Sequence, residues 1–154
     1  TGSGMGSVEV LAVLMDPQTR RACRISRLHA GQDAVVPLGE EVLWEEPNEA
    51  AYLEVFRTKD RHWVLLSSNT KDTSEVRAVR CNSGSGASPQ AEPTSSSAGA
   101  APVRLLAPRE GVEYFAEHRG GAFYVVSNHE RPDFSVYQLP IASLGAGDGG
   151  WQHL

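Results

Sequence analysis

The chain has 154 residues, of which 40% are hydrophobic and 21% charged, with 19 acidic against 14 basic side chains and a net charge of −5. That length fits one domain or a piece of a larger protein. Acids and bases are interspersed without a basic stripe, which argues against nucleic acid as a partner, and no apolar run approaches the roughly 18 residues of a membrane-spanning helix.

Residues 1–7, TGSGMGS, are rich in Gly and Ser and read as a linker or loop with no secretory leader pattern. Residues 8–15 (VEVLAVLM) predict an apolar strand, and Asp16–Thr19 a turn with Pro17 at its second position. Arg21–His29 alternates as a strand does, residues 30–34 are loop, and Glu41–Glu45 is a short strand. Three antiparallel strands follow: Tyr52–Thr58, His62–Ser68 and Ser74–Arg80, separated by turn residues at 59–61 and 69–72. The first and third alternate polar and apolar residues, whereas the second, HWVLLSS, is nearly continuously apolar, as expected of a strand covered on both faces. Residues 82–101 are mostly Ser, Ala, Gly and Pro and cannot bury enough apolar surface to offset the entropy of ordering, which predicts a disordered insertion. Val103–Leu106 resumes as a short strand; a second set of strands runs from Val112 to Ile141, and after SLGAGDGG, a flexible linker, WQHL reads as a strand.

The second set repeats the first, and Val64–Asn69 (VLLSSN) matches Tyr124–Asn128 (YVVSN). Without the insertion the period approaches the roughly 40–50 residues of a β-propeller blade. No segment sustains a helical period. The expected fold is therefore all-β: about two and a half propeller blades, with 8–50 a partial blade, 51–107 a complete blade carrying the insertion, and 108–154 a partial, truncated blade. Propellers close with about four to eight blades, so the chain reads as a fragment. With blade faces left in water, it is expected to be a poor folding unit by itself.

Three phrases carry a family resemblance. VLAVLMDPQTRRACRISRLHAG, EEVLWEEPNEAAYLEVFRTKDRHWVLLSSNTKDTSEVRAV and EYFAEHRGGAFYVVSNHERPDFSVYQLPI resemble successive blade segments of oligopeptidase B-like members of the prolyl oligopeptidase family of serine peptidases. The likeness spans nearly all of the chain except its first residues and 82–101. Where the family carries an Arg-His pair this chain has Arg27-Leu28, with His29 displaced by one, and its insertion is longer; both mark a distant relative. The resemblance implies a seven-bladed propeller over a C-terminal α/β-hydrolase domain of the same protein. It implies a cytoplasmic enzyme acting on short peptides, cut after Arg or Lys, with the propeller gating access to the hydrolase.

Such a peptidase needs a Ser nucleophile on a G-x-S-x-G elbow, followed by Asp and His. The chain has none: Gly2-Ser3-Gly4 and Gly84-Ser85-Gly86 lack the spacing and read as linkers. Its five histidines show no H-x-x-x-H or H-E-x-x-H spacing and no pattern of converging carboxylates. The sequence therefore nominates no catalytic, cofactor-binding or metal residue, and no cofactor. Glu54, Arg57, Glu113, Glu117 and His118 fall on the expected innermost strands, as lining of a central channel that steers charged peptides or as ordinary polar strand faces. Trp44, Phe56, Trp63, Tyr114, Phe123 and Tyr124 read as core between blades. Cys23 and Cys81 read as buried free thiols of a reducing compartment, with a disulfide as the alternative. A protein-binding propeller scaffold without a hydrolase, or a pseudoenzyme of the family, is the alternative. A scaffold of the WD or kelch kind would carry Trp-Asp or Gly-Gly signatures, and here Gly120-Gly121 sits in a turn.

Overall fold

In the computed structural model, residues 7–31, 39–81, 101–105, 110–145 and 150–154 are described. Among them, eleven strands form three antiparallel sheets. The first sheet holds β1 (Ser7–Met15), β2 (Ala22–Gly31) and β3 (Gly39–Glu45) in that order. The second holds β4 (Tyr52–Arg57), β5 (Trp63–Asn69), β6 (Ser74–Arg80) and β7 (Val103–Arg104). The third holds β8 (Tyr114–Arg119), β9 (Ala122–Ser127), β10 (Ser135–Pro140) and β11 (Gln152–His153). Each sheet is a meander of neighbours in sequence, as local turn chemistry dictates. The β1–β2 turn is held by Asp16, whose Oδ1 accepts from the backbone N–H of Gln18 (2.9 Å) and Thr19 (2.8 Å). The β8–β9 hairpin reverses in two residues, with Gly120 at φ +64°, where a side chain is disfavoured.

The sheets stack face to face through two separate cores. Ile25 and Trp44 of the first sheet meet Leu53, Leu66 and Val79 of the second, with Leu11, Val13 and Val64 packed alongside. On its other face the second sheet presents Trp63, Leu65, Val76 and Ala78 to Tyr114, Ala116, Phe123, Val125, Tyr137 and Leu139 of the third. Neighbours on β5 therefore serve opposite cores, and β5 is buried on both faces, as its continuous apolar run predicts. Polar bonds fix the stacking. The Tyr114 hydroxyl accepts from Val76 N–H (2.7 Å), Trp151 Nε1 donates to Leu105 O (3.0 Å), and Ser68 Oγ donates to Glu46 Oε2 (2.6 Å). The Arg77 guanidinium lies 3.8 Å from the centroid of the Trp44 ring.

Strand ends depart from the sequence expectation where side chains take over backbone bonds. β8 begins at Tyr114, not Val112, because Glu113 N–H donates to Asn128 Oδ1 (2.8 Å) and Glu113 O accepts from Ser127 Oγ (2.8 Å). β3 starts two residues earlier than expected, at Gly39 opposite His29. Residues 30 and 31, expected as loop, continue β2, because they pair with Ser7 and Val8. The expected linker 143–150 begins with Ser143 ending a 3-10 turn and Leu144 packed on the core, while 1–6, 32–34, 82–100 and 146–149 lie outside the described residues.

The end sheets expose apolar side chains: Val8, Val10 and Val42 on the first; Phe115, Tyr124, Val126 and Val136 on the third. Each such group left in water forgoes roughly 1.5–3 kcal/mol. The purified chain is expected to self-associate and to unfold over a broad range; a sharp monomeric elution peak with one cooperative calorimetric transition would refute this. Within the stack, Leu65→Ala and Leu66→Ala, both fully buried, are each expected to cost about 2–5 kcal/mol in urea unfolding, although they open cavities in different cores.

Candidate functional site at the seam of the second and third sheets

The turn between β4 and β5 builds one half of the site. Thr58 N–H donates to Trp63 O, and Arg61 N–H donates to Thr58 O, both at 2.9 Å, with Arg61 at φ +65°. Inside this turn Asp60 Oδ1 accepts from the Thr58 hydroxyl (2.8 Å) and from His62 N–H (3.1 Å). One carboxylate oxygen is thus used by its own turn. The other, Oδ2, crosses the seam and lies 2.5 Å from Nδ1 of His118 on β8, and 3.5 Å from Nδ1 of His62. The adjacent backbone is joined too, since Glu117 Oε1 accepts from Lys59 N–H at 3.1 Å.

His118 is 3% exposed and His62 67% at the side chain, so the cluster runs from the core to the surface. The His118 ring packs at 5.0 Å, edge to face, with Phe123 and at 5.9 Å with Trp63; its Nε2 is buried with no hydrogen-bond partner among the described residues. For Asp60, burial works to raise the pKa. The His62 N–H, the Thr58 hydroxyl, and the hydrogen bond and charge of His118 outweigh it, bringing the carboxyl from 3.8 down to about 2.

The residues expected to line a channel are not alike. Glu54 and Arg57 are exposed on β4, and Glu117 is half-buried. Glu113 is half-buried and precedes β8. His118 does not face a channel: alternation along β8 puts it on the same face as Tyr114 and Ala116, against the second sheet. Trp44, Trp63, Tyr114 and Phe123 are core, but Phe56 (40% exposed) and Tyr124 (39%) are not. Cys23 and Cys81 are free and half-buried rather than fully buried. A cleft of about 420 Å³ between the first two sheets is lined by Glu9, Leu11, Val55, Phe56, Arg57 and Arg80, among others.

Sequence reading missed the convergence of Asp60, His62 and His118, for His118 lies 58 residues from Asp60. The Asp-x-His of the turn was the available signal.

Residues 15–150 match the family model of the prolyl oligopeptidase N-terminal β-propeller domain. The chain belongs to the prolyl oligopeptidase family. It is 26% identical over 106 residues to a prolyl endopeptidase-like protein of Gallus gallus and 25% over 114 residues to one of Xenopus laevis, covering 68% and 73% of this chain. It spans only 13% and 14% of those relatives' lengths. Oligopeptidase B of Leishmania major superposes with a TM-score of 0.68 at 17% identity, covering 87% of this chain and 17% of that one. Oligopeptidase B of Trypanosoma brucei, in a closed form with covalently bound antipain, gives 0.66 at 15% identity, covering 92% and 18%. The fold is thus all-β, part of a family propeller. No helix among the described residues is long and apolar enough to cross a membrane.

Because the Asp60 pKa is depressed on folding, its contribution is present above about pH 4 and lost as pH falls through about 2. The stability gap between wild type and Asp60→Asn, from urea titrations, should therefore be widest above pH 4 and shrink towards pH 2; a constant gap would contradict the assignment.

Proposed function

We propose that this chain is the non-catalytic propeller portion of a serine oligopeptidase, with residues 8–50, 51–107 and 108–154 in three successive blades. The ring admits short flexible peptides to a C-terminal α/β-hydrolase domain of the same protein and holds folded proteins away from the nucleophile. The observation that carries this reading is the family match over residues 15–150 on a chain of three face-to-face sheets. Cleavage after Arg or Lys is supported by the likeness to the two oligopeptidase B structures. A cytoplasmic setting is supported by two free cysteines. The chemistry belongs to the hydrolase: a Ser on a G-x-S-x-G elbow attacks the scissile carbonyl, and Asp and His complete the triad. This sequence lacks that elbow, so no residue of the chain is given a catalytic role.

Glu54 and Arg57, exposed on β4, are the side chains assigned to peptide steering. In the full-length protein Glu54→Gln is expected to lower kcat/KM for Arg- or Lys-rich peptides severalfold at low salt, with the effect fading as salt screens the charge. The isolated chain is expected not to hydrolyse Arg or Lys esters. Turnover that survives purification and is blocked by a serine-directed inhibitor would overturn the assignment of all chemistry to the hydrolase domain.

A further inference from the structure

Two imidazoles and a carboxylate, drawn from two sheets, offer donor atoms that lie within 4.8 Å of one another. This set suits a borderline transition metal rather than calcium or magnesium, which take oxygen ligands. We propose that Asp60, His62 and His118 bind a divalent transition metal ion of the zinc class, which staples the second sheet to the third.

The geometry is close to what such an ion requires. Zinc bonds to N and O of about 2.0–2.2 Å place tetrahedral ligands about 3.3 Å apart. Asp60 Oδ2 and His62 Nδ1 already stand at 3.5 Å. Asp60 Oδ2 and His118 Nδ1, at 2.5 Å, share a hydrogen that the ion would displace, and the pair must open by less than 1 Å. His118 is fixed by the rings of Phe123 and Trp63, so the adjustment falls on the turn and on the exposed His62. Once Nδ1 is a ligand, the ring hydrogen sits on Nε2, which faces no polar acceptor and lies among aromatic rings, where an N–H···π contact is the available partner. The supporting shell is in place: the Thr58 hydroxyl and His62 N–H hold Asp60 Oδ1 and leave Oδ2 free to coordinate. With His62 exposed, a water would supply the fourth ligand of the tetrahedron.

The test titrates zinc chloride into the full-length protein and follows hydrogen exchange peptide by peptide, with calorimetry for affinity. Zinc is expected to slow exchange in the peptides covering 58–64 and 114–119, in one-to-one proportion to binding at this site. His62→Gln removes a ligand at an exposed position and should leave the metal-free exchange pattern unchanged. It should also weaken this binding at least tenfold, the scale of loss seen even for supporting residues of metal sites. Replacing the exposed His153 with Gln should leave it intact. The proposal fails if millimolar zinc protects neither peptide, if His62→Gln is protected as well as wild type, or if the protection disappears only when Cys23 and Cys81 are replaced by Ser.

Discussion

Strand β5 has no solvent face, and the rest of the structure follows from that. Its backbone donors and acceptors are taken by β4 on one side and β6 on the other, so the ladder is satisfied without water. Its side chains must then be apolar on both faces or find partners. Leu65 and Leu66, adjacent in sequence, are buried in different cores, and Ser67 and Ser68, which follow them on the strand, are buried too. Ser68 is accommodated because Glu46 comes over from the loop before β4 to accept its hydroxyl. A one-residue slip of β5 would exchange the contents of the two cores, so the register of the second sheet and the stacking of its neighbours are set together.

That constraint also explains what the sequence could and could not disclose. The repeat was readable because the strands alternate and the turns carry Asp, Asn and Gly in corresponding places. The continuous run HWVLLSS marked a strand covered on both faces, and β5 is one, but the same class of residues in AFYVVS gave no sign that β9 is covered on one face only among the described residues. In the third sheet Phe123 and Val125 are buried while Tyr124 and Val126 are exposed, because no described element packs on that face. Arg27 makes the same point from the opposite direction. An Arg on an alternating strand reads as a solvated position, yet it is 1% exposed, with Glu9 of β1 and Glu41 of β3 each 2.5 Å from its guanidinium. Burying that charge is tolerable only because acids on both flanking strands meet it. The Asp60–His118 pair was hidden for a topological reason: its members occupy a turn and a strand of different sheets.

Apolar contact between sheets is weakly directional, and two stacked sheets free of polar contacts could slide. Here each seam carries polar anchors. Between the first and second sheets, Ser68 of β5 meets Glu46, just past β3, and the Arg77 guanidinium lies over the Trp44 ring. Between the second and third, Tyr114, Trp151 and the Asp60–His118 pair reach across. A buried aromatic with a polar tip does both jobs, contributing area to the core and one fixed point to the alignment. Trp151 shows this well: its ring is set edge-on to Tyr114 at 5.2 Å while its nitrogen is committed to Leu105 of the second sheet.

The short strand β7 has a separate consequence. Among the described residues, Val103 and Arg104 pair with β6, and the contact is reinforced by Leu105 N–H on Val76 O (2.9 Å) and by Arg104 Nε on Glu75 Oε1 (2.7 Å). Cys81, just past the end of β6, is likewise tied by its N–H to His62 O at 2.8 Å. Both chain ends that flank residues 82–100 are therefore held by bonds of their own, independent of what joins them. Closing a loop between fixed ends becomes costlier only logarithmically with its length. A longer or shorter connection between these two anchored ends would therefore change the cost of folding little, and the blades on either side would stay in register. By the same reasoning that connection is the natural position at which to graft an affinity tag or a fluorescent reporter.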